Sequence, residues 1–147
     1  MAKDGKHVIH AGGIFANPQL HREGAAAAEL QPGTVGTFVN GKFTAATDGK
    51  AAAIHYVANY DYLRCKTVDD TIAAGDWVVG FHPTPGVFLN LRAAAGTYGK
   101  GDPVAIANGR IKPATTTGDT PDTVFAYVEE DKDLTAAAGD LVRVVFK

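Results

Sequence analysis

The stretches AGDWVV (Ala74–Val79), KGDPVAI (Lys100–Ile106) and AGDLVRVV (Ala138–Val145) share Gly-Asp-x-Val, and that recurrence decides the fold. PGTVGTFV (Pro32–Val39) is a looser fourth copy. Glycine takes the positive φ of a tight turn without steric cost. The Asp carboxylate is expected to accept a backbone N–H two residues on, as in an Asx-turn. The β-branched residues that follow suit a pleated sheet. In the last copy Leu141, Arg143 and Val145 alternate with Val142, Val144 and Phe146, so one of these faces packs inward. Several strands opened by one device predict an all-β barrel or sandwich of short, mainly antiparallel strands. The spacing between copies is irregular, which argues against a solenoid.

Other turns agree. Asn40-Gly41, Asp48-Gly49 and Asn108-Gly109 are hairpin signals, because a type I′ turn needs positive φ at both central residues. A basic residue follows each (Lys42, Lys50, Arg110) and is placed beside an exposed tip. Val124–Val128 reads as a strand running into an acidic turn, and Val87–Leu91 as a strand after a rigid Pro83–Gly86 turn. Thr115–Thr123 (TTTGDTPDT) is a polar loop. GAAAAEL (Gly24–Leu30) suggests one helical turn, stopped by Pro32-Gly33. No helix longer than about three turns is expected. Residues 1–24 lack a sustained period and read as an extended N-terminal arm, with one short strand at KHVIHA. Residues 25–147 form the single β-rich domain.

Composition sets the class. The chain has 147 residues, one domain's worth, with 46% hydrophobic and 20% charged residues. A net charge of -2 gives no sign of a nucleic-acid or anionic membrane partner. A single cysteine, Cys65, excludes a disulfide framework. The opening stretch has no long apolar core, so the expectation is a soluble protein made without a signal peptide. No apolar run is long enough to span a bilayer as a helix.

Few residues are candidates for chemistry. His7 and His10 would face apart in an extended arm, so they are read as solvated rather than metal-binding. His82 is read as structural. Asp69 and Asp70 would point to opposite faces of a strand. Glu129, Glu130, Asp131 and Asp133 could bind a cation, but a solvated turn without Ca²⁺-loop spacing is the simpler reading. Gly96–Asp102 (GTYGKGD) lacks the features of a phosphate loop. Cys65 is read as a buried small apolar residue. Serine is absent, which removes the commonest hydrolytic nucleophile. Tyr56, Tyr60, Tyr62, Trp77, Phe81 and Phe88 are assigned to core or subunit interface. The expectation is therefore no enzyme, no cofactor and no metal, but a protein that works through its surface.

The block Cys65–Pro113 resembles small head-decoration, or capsid cement, proteins of tailed bacteriophages. The pieces that carry the resemblance are Pro32-Gly33, Thr67–Asp70, Ala73–Asp76, Pro85-Gly86, Ala93–Gly96, Lys100–Asp102, Asn108–Ile111 and the closing AGDLVRVVF. In order they cover about residues 30–147. The long Thr115–Thr123 loop and the 1–24 arm depart from the pattern. The resemblance implies a tulip-like barrel that binds the outer surface of the expanded capsid. It implies partners in the major capsid protein and in itself, as a homotrimer or other small homo-oligomer. It places the protein on the virion, made in the bacterial host cytoplasm. The arm would then order on the lattice, with Val8, Ile9, Ile14, Phe15 and Leu20 as capsid contacts. Deleting residues 1–24 would leave a folded domain that binds heads poorly, and the three hairpin tips would face solvent or a neighbouring copy. Two rivals remain. A virion-surface adhesion or carbohydrate-binding module would expose Trp or Tyr, and Trp77 sits in what reads as a buried strand. A barrel enzyme would gather His55, His82 and an Asp in one cleft.

Overall fold

The computed structural model describes residues 5–13 and 21–147, and these are all-β, with no α-helix. A six-stranded sheet runs in the order β1 (His10–Gly13), β7 (Val87–Arg92), β13 (Leu141–Val145), β11 (Val124–Val128), β9 (Pro103–Ala107), β10 (Arg110–Pro113). A closed barrel runs in the order β2 (His21–Ala26), β4 (Lys42–Ala45), β3 (Val35–Val39), β5 (Tyr56–Ala58), β6 (Trp77–Phe81). β8 (Gly96–Tyr98) and β12 (Leu134–Ala136) form a small ribbon. Every pairing is antiparallel except β2 with β4.

The repeated strand opening is a type II turn. Gly75, Gly101 and Gly139 have φ of 87°, 88° and 92°. Asp76, Asp102 and Asp140 each donate their N–H to the carbonyl three residues back. Gly33 and Gly86, at 87° and 89°, close the same turn behind a proline. Thus β3, β6, β7, β9 and β13 all start after one local geometry, in which only the third position needs positive φ. The carboxylate works in the direction opposite to expectation. Asp102 Oδ2 accepts the N–H of Gly99 at 3.0 Å and Asp140 Oδ2 that of Ala137 at 2.8 Å, three residues earlier. Each Asp thus closes the turn behind it and leaves its strand free to pair.

Asn40-Gly41 and Asn108-Gly109 have φ pairs of 49°/76° and 49°/77°, as type I′ hairpins require. Asp48-Gly49 makes no such turn. Asp48 Oδ1 instead accepts the Lys50 N–H at 2.7 Å. The second tip is not free either: Gly109 is buried against the barrel, where its N–H donates to Ala46 and its carbonyl accepts from Val35. Lys42, Lys50 and Arg110 are exposed.

Along β13 and the residue after it, Val142, Val144 and Phe146 pack inward, and Leu141 at the strand's start is buried as well. They join Leu89, Leu91, Val104, Ile106, Ile111 and Val128 in the main core, which also takes Val35, Val57 and Phe81 from the barrel. Inside the barrel a smaller core holds Ala26, Phe43, Ala58, Ile72 and Val78. Gly36 makes room there, since a Cβ on it would lie 2.5 Å from the Phe43 ring.

Arg92 ties the two parts together from a buried position. Its guanidinium donates to the carbonyls of Pro32 and Gly139, both at 2.8 Å, and of Val68. Burial pulls its pKa down, while Asp69 and Asp140 act in the opposite sense.

The N-terminal stretch corrects the arm expectation. Ile9 is 0% exposed within the main core. Asn90 holds the chain there, its N–H on Ile9 O at 2.7 Å and its side-chain amide on Val8 O at 2.6 Å. The boundary drawn at residue 24 falls inside β2, a barrel strand. GAAAAEL is not helical, because Gly24–Ala26 pair with β6 and β4.

Candidate functional site

β2 and β6 form one wall of the barrel, with His21 opposite Phe81, Glu23 opposite Val79 and Ala25 opposite Trp77. Directly opposite residues share a face. Strand alternation sends Val78 into the barrel and Trp77 and Val79 outward. Asn59–Arg64, with a 3-10 turn at Tyr62–Arg64, rises beside this outer face and walls a groove of about 520 Å³. The sheet core covers the Phe81 end, and the Trp77 end stays open.

The groove is aromatic and apolar with a polar rim. Trp77 is 55% exposed, Tyr62 62% and Leu63 82%. Trp77 Nε1 donates to Glu23 Oε2 at 3.3 Å, which fixes the indole by its edge. Tyr62 meets Tyr60 edge to face at 6.0 Å. Asp61 caps the 3-10 turn by accepting the Arg64 N–H, and Arg64 Nε lies 3.3 Å from Asp61 Oδ2. His21, Asn59 and Ile72 complete the lining. Exposed aromatic and aliphatic side chains gathered along one groove make this wall the candidate surface for a partner. Of the two expected places, core or subunit interface, the core is ruled out for Trp77 and Tyr62, which lie on the surface. Cys65, expected buried, is exposed where the 3-10 turn ends.

Among the expected contact residues, Val8 is 42% exposed, Ile9 is sealed in this chain's own core, and Ile14, Phe15 and Leu20 lie outside the described residues. His7 is exposed, whereas His10 is a half-buried β1 residue paired with Leu89. His55 and His82 do meet, His82 Nδ1 lying 2.8 Å from His55 O. His55 is buried edge to face on Phe125, 5.9 Å away, and does not line the groove. Its desolvation lowers its pKa, with the charge of His82 adding to the effect and Asp48 opposing it. This is a packed junction and not an open cleft. In the acidic turn Glu129 pairs with Lys100 at 2.8 Å, Glu130 with Lys6 at 3.1 Å and Asp131 with Arg143 at 2.9 Å. These carboxylates are neutralised by the chain's own cations. Among the described residues no group of three or more His, Cys, Asp or Glu is placed to hold a metal ion. None of the helices there is long and apolar enough to cross a membrane.

No protein-family model matches the chain, and no curated protein gives a match.

Proposed function

We propose that this protein is a structural component of a phage particle. It binds the outer surface of the expanded capsid and bridges major capsid protein subunits, as a small homo-oligomer such as a trimer, with no catalytic role. The observation that carries the reading is the open groove of Trp77, Val79, Tyr62 and Leu63 on the outer barrel wall. Trp and Tyr at the centre of an apolar patch with a polar rim are the residues that dominate protein–protein binding. The order of the turn-and-strand motifs, which resembles that of capsid cement proteins, supplies the partner. A rigid body with five strands opened by type II turns suits a load-sharing part, since it has little conformational freedom to lose on docking.

Co-sedimentation tests this. The purified chain is mixed with expanded, undecorated heads of its cognate capsid protein and with unexpanded proheads. Saturable binding to expanded heads alone, at a fixed ratio to capsid subunits, is expected. No binding to either overturns the reading.

One observation favours a second reading, a virion-surface carbohydrate-binding module. Trp77 is exposed beside Glu23, and an indole face next to carboxylates and an amide suits a sugar ring, whose C–H face stacks while its hydroxyls take hydrogen bonds. Binding of the isolated chain to a glycan array, lost in Trp77→Ala, would bring this reading forward.

A further inference from the structure

The two Asn-Gly tips share one backbone conformation and differ in what holds the glycine. Their φ pairs are 49°/76° for Asn40-Gly41 and 49°/77° for Asn108-Gly109, and both asparagines are exposed. At the second tip Gly109 N–H donates to Ala46 O at 2.7 Å and Gly109 O accepts from Val35 N–H at 2.8 Å. The Asn108 N–H is held as well, on Thr47 O at 3.0 Å. A Cβ on Gly109 would lie 2.9 Å from Ala45 and from Thr34, so the tip is wedged. Gly41 is exposed and a Cβ on it would meet no atom within 4 Å; its carbonyl lies against Gly24 of β2, where a Cβ would come within 2.5 Å of it, but among the described residues no turn or loop bond holds its N–H.

We infer that Asn40 is a site of spontaneous covalent modification in the folded protein and that the same dipeptide at Asn108 is protected by docking. The Gly41 backbone nitrogen, once deprotonated by hydroxide, attacks Asn40 Cγ. The bond from Cγ to the side-chain nitrogen breaks, ammonia leaves with the proton it gains from water, and a five-membered succinimide remains. Water then opens the ring at either carbonyl, giving Asp or an isoaspartyl linkage that routes the chain through the side chain. Glycine at the second position leaves the attacking nitrogen unshielded. At Asn108 the same attack must first break the Gly109–Ala46 bond and pull the tip out of the barrel wall. Losing one such bond already slows a reaction about tenfold.

The position gives the modification a structural consequence. Lys42 follows the tip directly and opens β4, whose pairs with β2 are Ala25↔Lys42 and Ala26↔Phe43. This short parallel seam closes the barrel. An isoaspartyl link adds a backbone atom, and a carboxylate, immediately ahead of it. The altered tip therefore loosens the seam, and its free carboxylate becomes a substrate for an isoaspartyl carboxyl methyltransferase using S-adenosylmethionine.

The test is peptide mapping by mass spectrometry after incubating the full folded chain at warm, mildly alkaline pH, with a parallel sample in denaturant. Deamidation at Asn40 is expected to run at least about tenfold faster than at Asn108 in the folded sample, with the rates converging in denaturant. Methyltransferase labelling of the Asn40 peptide should rise with it and vanish in Asn40→Gln. Equal or reversed rates in the folded protein overturn the inference, and so does reaction of both sites in denaturant with neither reacting when folded. Amide exchange at Ala25–Ala27 reads the seam. Faster exchange in the modified protein is expected, and unchanged exchange overturns the coupling.

Discussion

The six-stranded sheet and the barrel are built from the same turns and the same kinds of strand, yet they spend their apolar residues differently. In the sheet, β7 buries Val87, Leu89, Asn90, Leu91 and Arg92, and β13 buries Leu141, Val142 and Val144. In the barrel, β6 buries Val78 and exposes Trp77 and Val79 on the outer wall. β7 and β13 are covered on both faces, and the outer face of β6 is not. A strand that holds a large aromatic in water beside a well-packed core has that surface available for a partner. Burial is thus concentrated in the sheet and its junctions, and the outer barrel wall is the apolar surface left open to the partner proposed above.

Deleting residues 1–24 has the largest expected effect. It removes β1, Ile9 and most of β2, so it opens the barrel and leaves an unfolded or aggregated chain by circular dichroism and size exclusion. A folded monomer with an intact thermal transition would show that β2 is dispensable and break the comparison at its base. Arg92→Leu comes next. It leaves the carbonyls of Pro32, Val68 and Gly139 without their donor, and an orphaned buried network costs about 3–5 kcal/mol. Urea unfolding that moved by less than about 1 kcal/mol would mean that the junction is held elsewhere. Two glycines then compare a covered turn with an open one. Gly75→Ala carries only the backbone strain of positive φ, about 1–2 kcal/mol. Gly33→Ala adds a Cβ at 3.0 Å from Leu141 Cδ2 and 3.2 Å from Asn90 O, so it should cost more. Equal losses would erase the distinction between junction and surface.

Tyr98 sharpens the same contrast through pH. It is 1% exposed, and its hydroxyl donates to Ala94 O at 2.8 Å and approaches Ile111 O at 3.1 Å. Burial pushes its pKa from 10.0 to about 12. A raised pKa means stability that is fully present below pH 10.0 and is lost as pH rises through about 12. The full change corresponds to roughly 3 kcal/mol. Other phenols and lysines titrate in that window, so the difference from Tyr98→Phe is the readout. The variant should be less stable near neutrality and close the gap as pH climbs. A gap that stays constant would mean that the phenol ionises in the fold as easily as in water.

Where the sequence was legible, the structure is local. The Gly-Asp turns need one residue of positive φ and one β-forming run, and both are written within six residues. Val124–Val128 is a strand at the bounds read from its pattern. Asn40-Gly41 and Asn108-Gly109 were visible as hairpins, but the docking of Gly109 was not, because its partners Val35 and Ala46 lie more than sixty residues away. Distance hid the N-terminal strand too. Val8 and Ile9 are held by Asn90, and nothing near them in sequence names that partner. The exposure of Trp77 was hidden for another reason. Alternation along β6 separates Trp77, Val79 and Phe81 from Val78 and Gly80, but it does not say which barrel face is covered. Phe81 is buried by the sheet and Trp77, four residues earlier on the same face, is not.

Trp77→Ala has the smallest expected effect on the fold and the most informative one on function. Trp77 lies opposite Ala25, its one polar bond reaches Glu23 across an exposed face, and more than half of it is already in water. Its removal forgoes some strand preference and little burial, at most about 1 kcal/mol. If the groove docks on a capsid, the same change removes an aromatic anchor worth about 2 kcal/mol or more, roughly a thirtyfold loss of affinity. The chain has one tryptophan, so its fluorescence reports this surface alone. A blue shift on adding expanded heads, absent with proheads, would place the indole in the interface. An unchanged spectrum with saturable binding would move the docking face off the barrel, to the sheet edge at β1 or β10. A large loss of stability in Trp77→Ala would show instead that the outer wall is part of the core, and the division between a sheet that stabilises and a barrel that recognises would fall.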